Sequence, residues 1–305
     1  MEINMTKRLF IFAAYDKDNI IDKTLLHYLH ALSKLGDIIF TMDNDTAASE
    51  MKKLSDIPNI LHTTAVRHNE YDFGSYKRGY IWARDNKILN KYDWIYLVND
   101  SVYGPFYDLG PALTTLESRG VDLIGMCSSE IDAFPPHVQS WFVGLSKKVA
   151  NADFFRNFIT NVTHQNDKGL IVLKYEVRMS RLIKDHGYEM SVLFNDRDAV
   201  IYQSANPVLN AGVPFVKKAT MKSIRQIEFL TPYTEETFSN EITNYATRHK
   251  ILNQEVLIKY KKIYRFSFLG IPIFSIWHQE SSWGSNNYKV YIFDKMPVFN
   301  IVRSK

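Results

Sequence analysis

The chain has 305 residues, a formal net charge of +4, 46% hydrophobic and 23% charged residues, and one cysteine, Cys127. A single cysteine excludes an intrachain disulfide framework or a cysteine-based zinc site. The mild positive balance, with no long Lys/Arg run and no nucleic-acid motif, does not demand a nucleic-acid partner. No stretch approaches the ~20 apolar residues that span a bilayer.

Taken in order, apolar strands and amphipathic helices alternate. The first run, "RLFIFAAY", reads as a buried strand; it is too short for a signal peptide and lacks a small-residue cleavage pattern, so a cytoplasmic protein is expected. "DKTLLHYLHALSKLGD" sets Leu25, Leu29, Leu32 and Leu35 on one helical face, with Gly36 as a stop. "DIIFTMD" is a second strand and "TAASEMKKL" a second helix. "NILHTTAV" is a third strand, and "SYKRGYIWARDNKIL" a helix after it. "YDWIYLVND", "DLGPALTTLESRG" and "VDLIGMC" continue as strand, helix, strand, with Cys127 a small core residue. This rhythm predicts an α/β fold with a mostly parallel sheet and helices on both faces.

Beyond residue 205 the rhythm stops. "YTEETFSNEITNYATRHKIL" reads as a further helix. "FLGIPIFSI" (268–276) and "FDKMPVFNI" (293–301) form a weak repeat that suits short strands or hairpins with edge prolines. The expected division is therefore an α/β domain, 1–205, and a C-terminal extension, 206–305. Between Lys259 and Ile301, cations (Lys261, Lys262, Arg265, Lys289, Lys295) alternate with Tyr, Phe and Trp. That pattern suits a membrane headgroup zone, or packing on the α/β domain or a second subunit, and both alternatives stand.

In parallel sheets, ligands bind where strands end. The residues to inspect are Tyr15-Asp16, Arg67-His68-Asn69, Asn99-Asp100-Ser101 and Ser128-Ser129. No G-x-G-x-x-G follows the first strand and no G-x-x-x-x-G-K-[ST] occurs, which disfavours a dinucleotide dehydrogenase or P-loop enzyme. In "NEYDFGSYKRGY", Asp72, Gly74 and Ser75 read as a helix start offering backbone N–H groups to an anion. Lys77 and Arg78 are disfavoured in a first helical turn unless one neutralises a phosphate; the ordinary alternative is that both extend into solvent. Asp100, at a strand end, is a candidate ligand for Mg²⁺ or Mn²⁺ or an acceptor for a ribose hydroxyl; the alternative is a turn former. In "PPHVQSWFVG", His137, Gln139 and Ser140 precede an aromatic pair and can line a sugar site. Glu176 reads as a first-turn glutamate of an amphipathic helix, favoured there by the dipole.

"HNEYDFGSYKRG", "LVNDSVYGP", "HVQSWF" and "YEVRMSRLIKDHG", in this order, resemble the rhamnan-synthesis-F family of bacterial surface-polysaccharide glycosyltransferases over roughly residues 8–205. The resemblance implies a GT-A-like, Rossmann-type fold, a nucleoside-diphosphate sugar donor and a growing, lipid-linked glycan acceptor at the inner face of the cytoplasmic membrane. It implies dTDP-rhamnose or a UDP-hexose such as UDP-galactofuranose as donor, an inverting mechanism and no organic cofactor. By the same resemblance Glu176 becomes the general base, with His137 beside it. Asp16, Asn69, Asp72, Gly74, Ser75, Lys77, Arg78, Asn99, Asp100 and Ser101 become donor contacts, and Tyr103, Gln139, Ser140 and Trp141 acceptor contacts. The Asp-x-Asp metal motif of such folds is replaced here by Asn99-Asp100-Ser101, a single carboxylate. The alternative is a non-catalytic glycan- or nucleotide-binding component of an assembly complex.

Overall fold

The computed structural model describes residues 6–131, 134–221 and 236–249, and the backbone of four further strands between residues 259 and 303. The chain divides into two units, Met1–Ile251 and Leu252–Lys305. The division lies beyond the expected boundary at 205, because the described residues 206–221 and 236–249 belong to the first unit.

The first unit is built on an eight-stranded, mostly parallel sheet. Strand β1 (Arg8–Ala14) lies between β2 (Asp37–Met42) and β4 (Trp94–Asn99), parallel to both, and β3 (Ile60–Ala65) adds outside β2. The continuous apolar run of β1 follows from burial on both faces. Phe10 and Phe12 enter one core with Leu29, Leu32 and Phe40, whereas Leu9 and Ile11 enter a second with Tyr76, Tyr80 and Leu97. Helices α1 (Lys23–Ser33) and α3 (Tyr71–Asp85) contribute to opposite faces, with the short helix α2 (Ala48–Met51) between them in sequence. Asp22 caps α1 by accepting the Leu25 N–H. Between β4 and the helix α4 (Gly110–Glu117) lies the two-residue strand β5 (Val102–Tyr103).

The sheet departs from a simple alternation past β6 (Leu123–Ser129). Two strands, β7 (His137–Val138) and β8 (Phe142–Ser146), occupy the stretch expected to be a sugar-binding segment. Strand β8 is inserted antiparallel between β4 and β6. The aromatic pair at its start is therefore enclosed: Trp141, just before β8, and Phe142, its first residue, both pack on Phe215. Helices α5 (Lys147–Asn151) and α6 (Asp153–Thr160) follow. Helix α7 (Lys168–Ile171) runs through a π-helical turn, Val172–Val177, into α8 (Arg178–Asp185), and β9 (Met190–Phe194) then pairs parallel with β6. After α9 (Asn206–Asn210), strand β10 (Val216–Lys217) pairs with β5. Helix α10 (Glu236–Arg248) is tied back to α1 by Lys23–Glu241, 2.8 Å.

The second unit is a four-stranded antiparallel sheet, β11 (Lys259–Phe268), β12 (Ile271–Glu280), β13 (Asn286–Ile292) and β14 (Met296–Arg303), in sequential order. The repeat has a structural reading. Pairing steps from Phe274 to Pro272 past Ile273, and from Phe299 to Pro297 past Val298. Each Pro-branched-Phe triplet thus coincides with a register shift, an irregularity at which a sheet tolerates proline; Pro297 lies in the edge strand β14 as expected, whereas Pro272 lies in β12, between β11 and β13. The alternation of cationic and aromatic side chains falls outside the described residues.

Candidate functional site

The order β3-β2-β1-β4 reverses chain direction across the sheet between β1 and β4, which opens a crevice at their carboxyl ends. A pocket of about 560 Å³ lies at the ends of β1, β2 and β3. It is lined by Ala14, Tyr15, Asp43, Arg67, His68, Asn69, Tyr71, Asp72 and His164. Its wall is organised by Asp43, whose Oδ1 accepts the N–H groups of His68 (2.7 Å) and Asn69 (3.0 Å). Asn69 and Tyr71 both take left-handed backbone, φ +57°. Such strain in non-glycine residues persists only where surroundings enforce it, and it gathers at functional sites. It leaves Tyr71 exposed at the rim, opposite the sheet end that carries Tyr15, whose ring is covered by the Arg67 guanidinium at 5.3 Å.

The start of α3 answers why two cations follow Gly74. The helix begins at Tyr71, so Lys77 and Arg78 stand in its second turn, beyond the expected first turn. Lys77 donates to Glu70 Oε1 (3.0 Å) and to the Val162 carbonyl (2.6 Å). Arg78 donates to Glu70 Oε2 (2.6 Å) and the Gly74 carbonyl (2.8 Å). Burial opposes ionisation of Glu70, and these hydrogen bonds outweigh it, holding its carboxyl below the ordinary value. The Gly74 N–H is already used, donating to the Glu70 carbonyl. Gly74 is needed for space, since a Cβ there would stand 2.3 Å from Glu70 Cβ and 2.8 Å from the His68 ring. The cations are thus explained by Glu70, and the expected anion site at Gly74-Ser75 is replaced by a packed helix start. Ser75 is buried with its Oγ 3.0 Å from His68 Nε2.

His68 supplies a pH signal. Its Nδ1 accepts the Glu70 N–H at 3.1 Å, so the neutral ring carries its proton on Nε2 and donates to Ser75. Burial, and then the Arg78 charge, push the imidazole from 6.5 to about 4. The folded state therefore binds fewer protons than the unfolded chain between those values, so this stability is present above pH 6.5 and is lost as pH falls to about 4. The expected loss is up to about 3 kcal/mol. In denaturant titrations across this range, His68→Gln should flatten the slope; an unchanged slope removes His68 as its source.

At the end of β4, Asn99 Nδ2 donates to Asp72 Oδ2 at 2.8 Å, linking two expected donor residues across the crevice. Asn99 Oδ1 accepts from Ser101, and Ser101 Oγ accepts from Lys217 Nζ at 2.9 Å. Asp100 Oδ2 accepts the Tyr15 N–H at 3.3 Å and lies 4.0 Å from Lys218 Nζ. Burial pushes its carboxyl up to about 6, with Lys218 opposing. Asp16 is buried and committed. Its Oδ1 accepts from Arg248 (2.8 Å) and the Asp18 N–H (2.9 Å), and its Oδ2 faces His249 Nε2 at 3.0 Å.

A second group forms behind β7. Glu176 lies in the π-helical turn within a continuous helical run, not in a first turn; such turns recur at functional sites. Its Oε1 is 3.1 Å from His137 Nε2, and its Oε2 accepts from both the N–H and the Oγ of Ser140. His137 Nδ1 faces the Pro135 carbonyl at 2.8 Å, so both ring nitrogens meet acceptors. Burial disfavours the imidazolium, but these contacts raise it above its ordinary value; burial likewise opposes the Glu176 carboxylate, and its donors hold it below. Tyr76 donates to the Ser140 carbonyl at 2.9 Å, joining this group to the α3 side of the crevice. Three expected residues, Glu176, His137 and Ser140, therefore converge.

The other expected acceptor contacts are enclosed. Tyr103 is 1% exposed, Trp141 2% and Gln139 3%. Gln139 bonds the Trp141 indole N–H and the Ser128 carbonyl, so these side chains support β6 and β8 and are not among those that line the pocket at the ends of β1, β2 and β3. Cys127 is buried, and burial pushes its thiol up, as a core residue requires. Sequence reasoning passed over Asp43, Tyr71, His164, Lys217, Lys218 and Arg248. Asp43 ends a strand and was open to the strand-end rule; the others reach the site through tertiary packing.

A model of the family described as rhamnan synthesis protein F matches residues 38–269. The uncharacterized protein y4gN of Sinorhizobium fredii is 23% identical over 191 residues, 62% of this chain and 49% of that protein. The virulence protein VirA of Vibrio anguillarum is 26% identical over 125 residues, 40% of this chain and 39% of that protein. The chain spans about half the length, or less, of these curated relatives.

Proposed function

Because this chain belongs to the rhamnan synthesis protein F family, which ties it to polysaccharide biosynthesis, we propose that it is a glycosyltransferase working on a nucleoside-diphosphate sugar. The observation that carries the reading is the pocket at the carboxyl ends of three adjacent parallel strands, walled by Tyr15, Asp43, Arg67 and Asp72. The nucleoside would lie there, with exposed Tyr15 and Tyr71 offering ring faces. The finer proposal is an inverting transfer from dTDP-rhamnose or a UDP-hexose to a surface polysaccharide. Glu176 takes the proton of an acceptor hydroxyl, the oxygen attacks the anomeric carbon, and the diphosphate leaves. We place the work in the cytoplasm beside the inner membrane, where a lipid-linked acceptor is met. Among the described residues no helix is long and apolar enough to cross a membrane.

One observation favours a second reading, a non-catalytic binding component: the Glu176 carboxylate is already held by His137 and Ser140, which weakens it as a base. A thermal-shift and calorimetric screen decides the first point. UDP or dTDP, or the corresponding sugars, should raise the unfolding midpoint, by about 2.7 kcal/mol of added stability at a hundredfold excess over Kd. If no nucleoside diphosphate binds, the donor reading falls. Sugar release from a bound donor without acceptor then separates transferase from binder, and the anomeric configuration of the product separates inversion from retention.

A further inference from the structure

Residues 168–185 are helical throughout: α7, the π-helical turn and α8 follow without a break. Ile171, Tyr175, Met179 and Ile183 recur at every fourth residue and are buried in the core that also holds Ile11, Tyr76 and Tyr80. The wider π turn keeps that four-residue spacing on one side, where 3.6 residues per turn would let it drift. The other side is left in solvent. There Leu170 is 40% exposed and Leu173 48%. Lys174, Arg178, Arg181 and Lys184 are exposed with them. The acids are placed elsewhere. Asp167 stands before the run and accepts the Leu170 N–H at 3.1 Å, and Asp185 ends it, 3.7 Å from Arg181. Glu176 is turned to His137 and Ser140.

Helix stability does not account for this side. The dipole favours Arg181 and Lys184 in the last turns, but Lys174 and Arg178 stand in the middle of the run. From Lys174 the cations follow at spacings of four, three and three residues, at which like charges are neighbours and repel. Lys174 donates to Gln165 Oε1 at 2.6 Å, and among the described residues Lys174, Arg178 and Lys184 form no ion pair. Two exposed leucines one turn apart beside four cations match a bilayer of anionic lipids. Leucine side chains enter the acyl boundary, and long cationic side chains reach the headgroup phosphates. An acidic polymer would use the cations and leave the leucines in water.

We propose that the outward side of residues 168–185 docks on an anionic lipid surface, with Leu170 and Leu173 inserted and Lys174, Arg178, Arg181 and Lys184 on the headgroups. The inference deepens the glycosyltransferase reading and rests on it for the purpose of the contact. The docked element carries Glu176, so the contact holds the proposed base beside the membrane in which a lipid-linked acceptor is anchored.

Co-sedimentation of the full chain with vesicles tests it. Wild type should bind vesicles rich in phosphatidylglycerol, not vesicles of phosphatidylcholine alone, and added salt should weaken the binding. A cation near such a surface contributes about fivefold, so Arg178→Gln with Arg181→Gln should weaken binding at least ~10-fold. Leu170→Gln with Leu173→Gln should weaken it at least ~5-fold, because two apolar side chains no longer leave water. Glutamine is a good helix former, and thermal midpoints report whether each variant is folded. No binding to phosphatidylglycerol vesicles would overturn the proposal. Unchanged binding in both folded variants would do so too, by placing the contact elsewhere in the chain. Loss in the arginine variant alone would make this a surface for any polyanion and overturn the lipid assignment. Vesicle binding is read without donor. A chain that docks through these residues but binds no nucleoside diphosphate fails the donor reading alone, whereas one that binds nucleoside diphosphate but no vesicles fails this inference alone.

Discussion

Glu176→Gln is expected to damage both fold and turnover. The carboxylate accepts from His137 on one oxygen and from the Ser140 N–H and hydroxyl on the other. A glutamine keeps one acceptor and turns an NH₂ group toward a donor, so one buried donor is left unmet and the imidazolium loses its counter-charge. Breaking such a buried pair costs about 3–5 kcal/mol. The cost should depend on pH in a defined way. The raised His137 stabilises the fold below its unfolded value of 6.5 and loses that contribution as pH rises through its folded value. The lowered Glu176 contributes above 4.5 and loses it as pH falls through its folded value. The deficit of the variant should therefore peak between about pH 4.5 and 6.5 and shrink on either side. If Glu176 is also the base, transfer should fall ~10²-fold or more at a temperature where the variant remains folded. Near-wild-type transfer in folded variant protein would assign Glu176 to structure alone. Chemical denaturation at three pH values, with donor turnover on the same samples, makes the distinction.

A loss of similar size, with no catalytic component, is expected at the far end of β1. Arg8 makes a two-pronged contact with Glu117, Nε to Oε1 at 2.6 Å and Nη2 to Oε2 at 2.7 Å, and Tyr96 donates to the same Oε1 at 2.6 Å. The two charged side chains are 13% and 7% exposed, so little solvent screens them. Burial opposes the Arg8 charge, and Glu117 more than restores it, raising the guanidinium. Arg8→Ala should leave Glu117 charged and enclosed, and should cost about 4 kcal/mol in denaturant unfolding. Arg8→Met with Glu117→Leu should recover most of that, because replacing both charges removes the desolvation penalty along with the attraction. A single-variant loss below about 1 kcal/mol would place this pair with surface ion pairs. Nucleoside binding at the opposite end of the strands should be unchanged in every folded variant.

What the sequence determined by itself was local and periodic. "RLFIFAAY" and "WIYLVND" are apolar at successive positions, as a strand covered on both faces requires, and β1 from Leu9 onward and all of β4 are buried. The 3.6-residue spacing of Leu25, Leu29 and Leu32 fixed the buried face of α1. The convergence of loops after β1, β2 and β3 on a pocket follows from parallel connectivity, so its place at the strand ends was legible too. Tertiary structure decided the rest. "HVQSWFVG" carries histidine, glutamine and two aromatics in either reading, and only the insertion of β8 between β4 and β6 turns Trp141 and Gln139 inward. The cations after Gly74 look like phosphate ligands until Glu70, seven and eight residues back, is seen to take both. Lys218 and Arg248 reach Asp100 and Asp16 across more than a hundred residues of chain, a distance over which no spacing rule operates. Pattern reports which face of an element is covered; which charge meets which depends on how distant elements are brought together by packing, and that is settled when the sheet closes around its inserted strand.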